Sequence, residues 1–565
     1  MNNYNLLCIF YCSFGAFFYG YDSGLTTSII GYPEFISYFA FNPATLGALG
    51  SAYYAGNFAG SLMNMYLPDK FGRLNVVRFA SVVSILGAGM QTGAKGLGVL
   101  LAGRAIGGIG EELLWSTLAR LTLMLGFQPA GSLLPCVRSM RQRSRLRMFG
   151  VGLVDCTISS ININVSYALT EWMGLGFSYI AGSELKWRLF IGLQLLCAAI
   201  MLIGSIWMPE SPRWQAPSSY LSRNHTILTA YPRLVVQNRH EEALAILEKL
   251  HGSSTPSTSA SPEHSSTPFY RLEFNQIEAQ IRLEQATPQL GIVSIFKRPS
   301  YRRRLLIIVF FFAFQQLTAI IPLQNYQVIL YTSLGVTGKT PLIMVGVWGT
   351  LGVIFSCGGA YFFDKLGRRK SFFISMTGVL LGSIMLVIFW ARFEASGNTN
   401  KTLGSLALWA MFVYLVGYAW ILNSFGYAYT PEILVSTYVF MLDMWEGRTK
   451  HFRQPMEIRA TGLAAGFATL NAVIIMLVQV TPIAVEAISW KYFMIFIFTD
   501  AIFVVVFYFQ FPETANVPLE EVAALFGDEV AVRLDQAKNV EFGDEKPHGQ
   551  HVEEAGVSGE KTAGR

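Results

Sequence analysis

The sequence predicts an all-α membrane protein with twelve transmembrane helices in two pseudo-symmetric six-helix bundles. Three observations carry this. The 565 residues are 52% hydrophobic and only 14% charged, with a mean hydropathy of +0.40, whereas a soluble domain carries about 25% charged residues. Apolar stretches near the ~20 residues that a bilayer core requires recur along the chain. Finally, a motif pair is repeated. DKFGRL at 69–74 is followed by PESPRW at 209–214, and DKLGRR at 364–369 is followed at similar spacing by PETANV at 512–517. A repeat of that size on apolar segments means two related membrane bundles in one chain.

The expected segments are, in order, 5–25, 44–67, 76–95, 97–127, 148–178, 186–208, 304–332, 341–363, 369–392, 402–433, 457–482 and 490–511. The fourth and fifth are blurred by Gly, Ser and Arg. No small-residue cleavage site follows the first stretch, so it reads as a helix and not as a removed signal peptide. The chain then divides into an N-terminal bundle at 1–208, a polar linker at 209–303, a C-terminal bundle at 304–511 and a tail at 512–565. Within the linker, 239–252 and 274–285 have helical periodicity, and the Ser/Thr/Pro-rich run at 253–268 reads as flexible. In the tail, 518–527 reads as one helix and the remainder as disordered.

The net charge of +6 does not indicate nucleic-acid binding, because the basic residues cluster at helix ends. Lys70, Arg73 and Arg78 flank segments 2 and 3, Lys297 to Arg304 precede segment 7, and Lys365 to Lys370 separate segments 8 and 9. The loop at 23–43 has no Lys or Arg. The positive-inside rule therefore places these loops and both termini in the cytoplasm, with the plasma membrane as the expected location and the lipid bilayer as a partner. Asn400 falls in an expected outer loop as an Asn-X-Thr glycosylation acceptor, whereas Asn224 lies on the cytoplasmic side. Six scattered cysteines (Cys8, Cys12, Cys136, Cys156, Cys197 and Cys357) form no CxxC pair and read as small apolar residues. No metal or cofactor signature is present. The absence of HExxH, Walker A or GxSxG in a suitable strand–helix context argues against an enzyme. The GxxG pattern near 107–110 reads as helix packing.

Together, GYDSG at 20–24, DKFGRL, LAGRAIGGIG at 101–110, WR at 187–188, PESPRW, FQQLTAI at 314–320, DKLGRR, PEI at 431–433, MEIRATG at 456–462 and FPET at 511–514 resemble the sugar porter family of the major facilitator superfamily. The resemblance covers about 1–110, 165–214 and 232–528. It implies the major facilitator fold, with one central site reached alternately from each side, and transport of a hexose or disaccharide. Independently of the family, acids and Arg forks at cytoplasmic helix ends can pair across the two halves and bias a two-state equilibrium. That gating role falls to Asp69, Arg73, Glu210, Arg213, Asp364, Arg368, Arg369, Glu432, Arg459 and Glu513. The competing reading is positive-inside topology with solvated loop charge.

In the family, a QQ pair on helix 7 hydrogen-bonds the sugar, which here implicates Gln315 and Gln316. Gln324, Asn325 and Tyr326 follow one turn and more beyond. Amides inside an apolar helix need a partner or a wet cavity, and helix–helix hydrogen bonding is the alternative. Three positions depart from the family. Ile321 and Gly352 stand where amides are common, and Tyr427 stands where helix 10 often has Trp. Helix 5, reading CTISSININ, lacks the family's Gln residues. Asp22, placed in the inner third of helix 1, resembles the Asp of proton-coupled members, in which it pairs with the helix 4 Arg, here Arg104. The proton is therefore an expected second partner, with symport as the mode. A permanently ionised structural pair is the alternative.

Three stretches break the resemblance: 111–150, where PxYxxE and RG are expected, and the apparent insertions at 215–233 and 435–454. The last begins Val-Ser and ends Gln, residues whose codons can carry intron borders. The insertions therefore read as one or more translated introns of a eukaryotic gene such as a fungal one, 111–150 reads as a misread stretch, and the short N-terminus reads as a misplaced start. Beside the sugar carrier stand a polyol or quinate carrier, a non-transporting sugar sensor, and a non-functional product of a misread gene. The nondescript tail disfavours the sensor.

Overall fold

The computed structural model describes residues 3–64, 66–125, 149–180, 184–208, 299–423, 425, 426, 429 and 454–513. All belong to one structural unit. The expected linker at 209–303 and tail at 512–565, with their short helices, lie outside the described residues except at their edges. So do Asn224, Glu210, Arg213, Tyr427 and Glu432.

The first half comprises α1 (Asn3–Ile29), short α2 (Pro33–Phe39), α3 (Pro43–Met63), short α4 (Leu67–Phe71), α5 (Arg73–Thr92), α6 (Leu97–Leu125), α7 (Phe149–Phe177) and α8 (Leu185–Gly204). The second half comprises α9 (Pro299–Gln316), α10 (Ile320–Asn325), α11 (Gln327–Ser333), α12 (Thr340–Leu366), α13 (Arg368–Ala395), α14 (Lys401–Gly417) with a π-helical continuation at Tyr418–Leu422, α15 (Gln454–Ile488) and α16 (Lys491–Gln510). Each of the twelve expected segments meets a helix. Among the described residues, 8 helices are long and apolar enough to cross a membrane. Large apolar side chains point outward from them, such as Phe498 at 69% and Phe509 at 73% exposure, as lipid-facing positions require.

The sequence repeat is also a backbone repeat. Gly72 and Gly367, the glycines of the two DKxGR motifs, adopt φ of 87° and 82° and turn one helix directly into the next. That region of φ favours glycine. Local capping sets other helix starts. Asn42 and Thr45 form a reciprocal capping box on α3, and the Asn400 side chain accepts from the Thr402 and Leu403 amides at the start of α14. The expected acceptor Asn400 is thus also a helix cap. In α6, a Cβ on Gly108 would lie 2.3 Å from the Tyr53 carbonyl oxygen and one on Gly110 2.7 Å from the Ser84 amide nitrogen. The glycine run thus lets α6 pack tightly against α3 and α5.

Segment 7 differs from expectation. Instead of one helix it is interrupted after Gln316 and again at Tyr326. Pro322 has no N–H to offer the Thr318 carbonyl, and its ring crowds that group. Ala319 accordingly takes a left-handed φ of 73°. Two of the freed carbonyls find other donors, the Tyr414 hydroxyl at 2.5 Å for Thr318 and the Thr499 hydroxyl at 2.8 Å for Leu317, which lowers the cost of the break.

At the start of α2, Glu34 pairs with Lys186 of α8 at 2.7 Å. The hydrogen bond from Lys186 holds the Glu34 carboxyl below the usual carboxylate range. A depressed carboxyl contributes stability above its unfolded pKa and loses it as pH falls through the folded value. Because Glu34 is 38% exposed, Glu34→Gln should lower stability by about 0.5 kcal/mol at neutral pH. The loss should vanish in acid, at pH below the depressed value. Melts of the two proteins in detergent check this, and an equal deficit in acid would contradict it.

Candidate functional site

A cavity of about 110 Å³ lies between the halves. Two inter-half contacts frame it, α3 against α15 and α7 against α12. Its polar wall consists of Asn164 and Glu171 from α7, Gln315 and Gln316 from the end of α9, Gln324 from α10, and Asn423 just beyond the π-helical turn. Tyr19, Tyr54, Tyr167, Trp348 and Tyr418 supply aromatic surface. The Gln315 amide nitrogen donates to the Leu422 carbonyl at 2.8 Å, which fixes the side chain. Asn164 donates to Ser356 at 3.0 Å and accepts from Asn423 at 3.4 Å, so one amide bridges the halves at the cavity wall. Such an arrangement of amides and rings can hydrogen-bond hydroxyls and cover C–H faces.

The structure brings only part of the expected binding set to this cavity. Gln315 and Gln316 line it, but Asn325 and Tyr326 do not. The Tyr326 hydroxyl donates to the Val478 carbonyl at 2.7 Å and ties the broken helix to α15. Asn325 is buried next to Tyr54. Ile321 and Gly352 both line the cavity, so the family amides absent at those positions are absent from the cavity itself. Asn164, Glu171 and Asn423 were not singled out from sequence. Asn164 is the last residue of the helix 5 stretch noted only for lacking Gln.

A charged cluster lies behind this wall. Arg104 Nη1 donates to Asp22 Oδ1 at 2.7 Å, with side chains 2% and 1% exposed. Arg104 also donates to Thr26, and Gln194 donates to the same Asp22 oxygen. The Tyr53 hydroxyl donates to Glu111 Oε2 at 2.9 Å, and the Tyr53 ring lies 5.1 Å from the Arg104 guanidinium. Glu111 is an electrostatic neighbour of Asp22 and Arg104. Tyr53 joins this cluster while its neighbour Tyr54 lines the cavity. Asp22 lies two turns before the end of α1 at Ile29. With a cytoplasmic N-terminus that is the outer third of the helix, not the inner third, because α1 begins at Asn3.

Of the described gate residues, Arg73 and Arg368 are buried at helix starts, at 2% and 6% exposure, while Arg369 and Glu513 are half-buried. Glu513 accepts from the backbone amides of Arg368 and Arg369, both at 2.9 Å. Arg369 donates to the Tyr508 carbonyl at 2.7 Å. These contacts join the end of α16 to the start of α13 within the second half. The side chains of Asp69, Asp364 and Arg459 lie outside the described set. Contacts that do cross the halves include Thr27 to the Gln324 carbonyl at 3.1 Å, Ser51 to Gln479 at 2.7 Å and Trp172 to Thr350 at 2.9 Å.

A family model described as "Sugar (and other) transporter" matches residues 7–113, 154–438 and 453–526. The match lapses at 114–153 and 439–452, overlapping the stretches set apart at 111–150 and 435–454, and runs on through 215–233. Similar proteins include the MFS-type transporter criB of Aspergillus cristatus, 24% identical over 93% of this chain and 93% of that one. The sugar transporter STL1 of Saccharomyces cerevisiae is 26% identical over 90% and 79%, and the quinate permease of Neurospora africana 25% over 92% and 88%. Among solved structures, the proton:xylose symporter XylE bound to 6-bromo-6-deoxy-D-glucose superposes with a TM-score of 0.62 at 18% identity, covering 93% of this chain and 99% of that one. An inward open conformation of XylE from E. coli gives 0.58 at 18% identity, covering 91% and 98%. The fold is that of the major facilitator superfamily. The chain is a multi-pass integral membrane protein and belongs to the sugar porter family of that superfamily.

Proposed function

We propose that this chain carries a sugar, a hexose or disaccharide, across the plasma membrane by alternating access coupled to a proton, and that it is a carrier and not an enzyme. The observation that carries the reading is an amide-lined cavity one residue away, through Tyr53 and Tyr54, from a buried Asp22–Arg104 pair. Gln315, Gln316 and Gln324 offer hydrogen bonds to hydroxyls, and the tyrosines cover the ring faces. Asn325, Tyr326 and Tyr427 complete the proposed binding set, the first two by holding the broken helix in place.

A proton arriving at Asp22 cancels its charge and releases Arg104 from the pair, leaving Thr26 as its partner. Tyr53 contacts Arg104 and Glu111 while Tyr54 faces the substrate, so both events bias the same α3 segment. The bundles at 1–208 and 304–511 then tilt against one another, with 209–303 and 512–565 on the cytoplasmic side together with both termini. The contacts from Thr27, Ser51 and Trp172 are the outer gate, closed here. The motif residues Asp69, Arg73, Glu210, Arg213, Asp364, Arg368, Arg369, Glu432, Arg459 and Glu513 are the inner gate.

Uptake of labelled glucose into transport-deficient yeast, at about pH 5 and pH 7.5, tests this. Uptake should rise in acid, and Asp22→Asn should remove the rise. Equal uptake at both pH values by the unmodified chain would overturn the coupling, and no uptake at all would overturn the sugar reading. Gln315→Ala should raise the half-saturating concentration roughly five- to tenfold, the worth of one hydrogen bond. A chain lacking 215–233 and 435–454 should transport as well as the full chain or better if those stretches are insertions. The likeness to a quinate permease keeps a second substrate class in view.

A further inference from the structure

The acidic group in the cavity wall distinguishes these substrate classes. Glu171 is 1% exposed and lines the cavity, yet no side chain donates to its carboxyl oxygens, which lie against the backbone of Gly349. Its neighbours on α7 are tied elsewhere. The Thr170 hydroxyl donates to the Ser166 carbonyl at 2.7 Å, and the Trp172 indole donates to Thr350 across the halves. The opposite wall makes room for the carboxyl group, because a Cβ on Gly349 of α12 would lie 2.1 Å from Glu171 Oε2. Among the described residues lining the cavity, none is Lys, Arg or His, and Glu171 is the only acid.

A partnered buried acid in this protein looks different. Asp22, equally buried, takes hydrogen bonds from Arg104 and Gln194. Asp500 is buried and also takes no side-chain donor, but it does not line the cavity. A carboxyl group kept dry and unpaired is costly, and the cost is relieved when a ligand brings donors to it. Hydroxyl or ammonium hydrogens do so. A ligand carboxylate instead meets a like charge or a competing acceptor in a low-dielectric space.

We propose, resting on the carrier reading above, that Glu171 contacts the substrate and sets its class. It accepts from the hydroxyls of neutral sugars and polyols or from the ammonium of an amino sugar, and it turns away carboxylate ligands.

Labelled D-glucose uptake by the full chain in transport-deficient yeast tests this, with D-glucosamine and quinate as competitors near pH 7 and a fluorescent tag to report the amount at the cell surface. D-glucosamine is expected to inhibit and quinate not to. Glu171→Gln, which keeps the shape, is expected to raise the half-saturating glucose concentration about tenfold, weaken D-glucosamine and admit quinate as a competitor. Unchanged kinetics and competitor order in Glu171→Gln would overturn the inference. So would quinate inhibiting the unmodified chain as strongly as D-glucosamine, which needs no variant to fold. In both cases glucose uptake persists and the carrier reading stands. Surface-located protein that takes up labelled quinate and no glucose, or neither, overturns the sugar reading and this inference with it.

Discussion

Replacing Arg104 by Leu should destabilise the protein by about 3–5 kcal/mol, the cost of leaving a buried charge without its partner. Asp22 would lose the guanidinium held at 2.7 Å. The double variant Asp22→Asn, Arg104→Leu should recover much of this loss, since it removes both charges of the pair. It should not recover the proposed rise of uptake in acid, because the proposed proton acceptor is gone. Thermal melts of detergent-purified protein, read beside uptake at two pH values, separate the two effects. An Arg104→Leu protein as stable as the unmodified one would show that the pair contributes nothing to the folded state.

Gly359→Ala should be the most damaging single-methyl change in the second half. Its Cβ would fall 1.1 Å from the Trp420 carbonyl oxygen and 2.3 Å from the carbonyl carbon, and backbone cannot step aside as a side chain can. The Trp420 carbonyl belongs to the π-helical turn Tyr418–Leu422, where the backbone bulges toward α12. Overpacking of this kind costs about 3 kcal/mol, the upper end of the usual range, and should lower the melting temperature. Gly352→Ala is the control. Nothing lies within 4 Å of its Cβ, so its melt should be unchanged, and any effect should appear in uptake, since Gly352 lines the cavity. Equal melts for both variants would mean that α12 does not pack on the π-helical turn as described.

The fold was readable because its cause is one-dimensional. Apolar length and the DKxGR repeat both lie in the sequence, and Gly72 and Gly367 realise the repeat with matching backbone angles. The interruption of segment 7 was not read, although Pro322 signals it. What makes the break tolerable is tertiary, hydroxyls from Tyr414 and Thr499 reaching in from other helices. The same interruption explains the mixed outcome at the site. Gln315 and Gln316 lie before it, and the family resemblance leads directly to them. Asn325 and Tyr326 would face the same way only on a continuous helix. The non-helical residues at 317–319 reset the register, so Gln324 lines the cavity in their place. Glu171 escaped notice because a single acid in an apolar stretch carries no periodic signal, and only the approach of α12 at Gly349 reveals where it sits.

The contact between Glu513 and the first amides of α13 joins two points that are 144 and 145 residues apart in the chain. Gly367 offers no side chain to cap that helix, so the carboxylate at the end of α16 takes the place of the missing cap. The exit of the last helix and the entry of α13 are therefore one joint. A probe attached just after residue 513 would report the tilt of both helices together, and damage at Glu513 would be felt as fraying at Arg368.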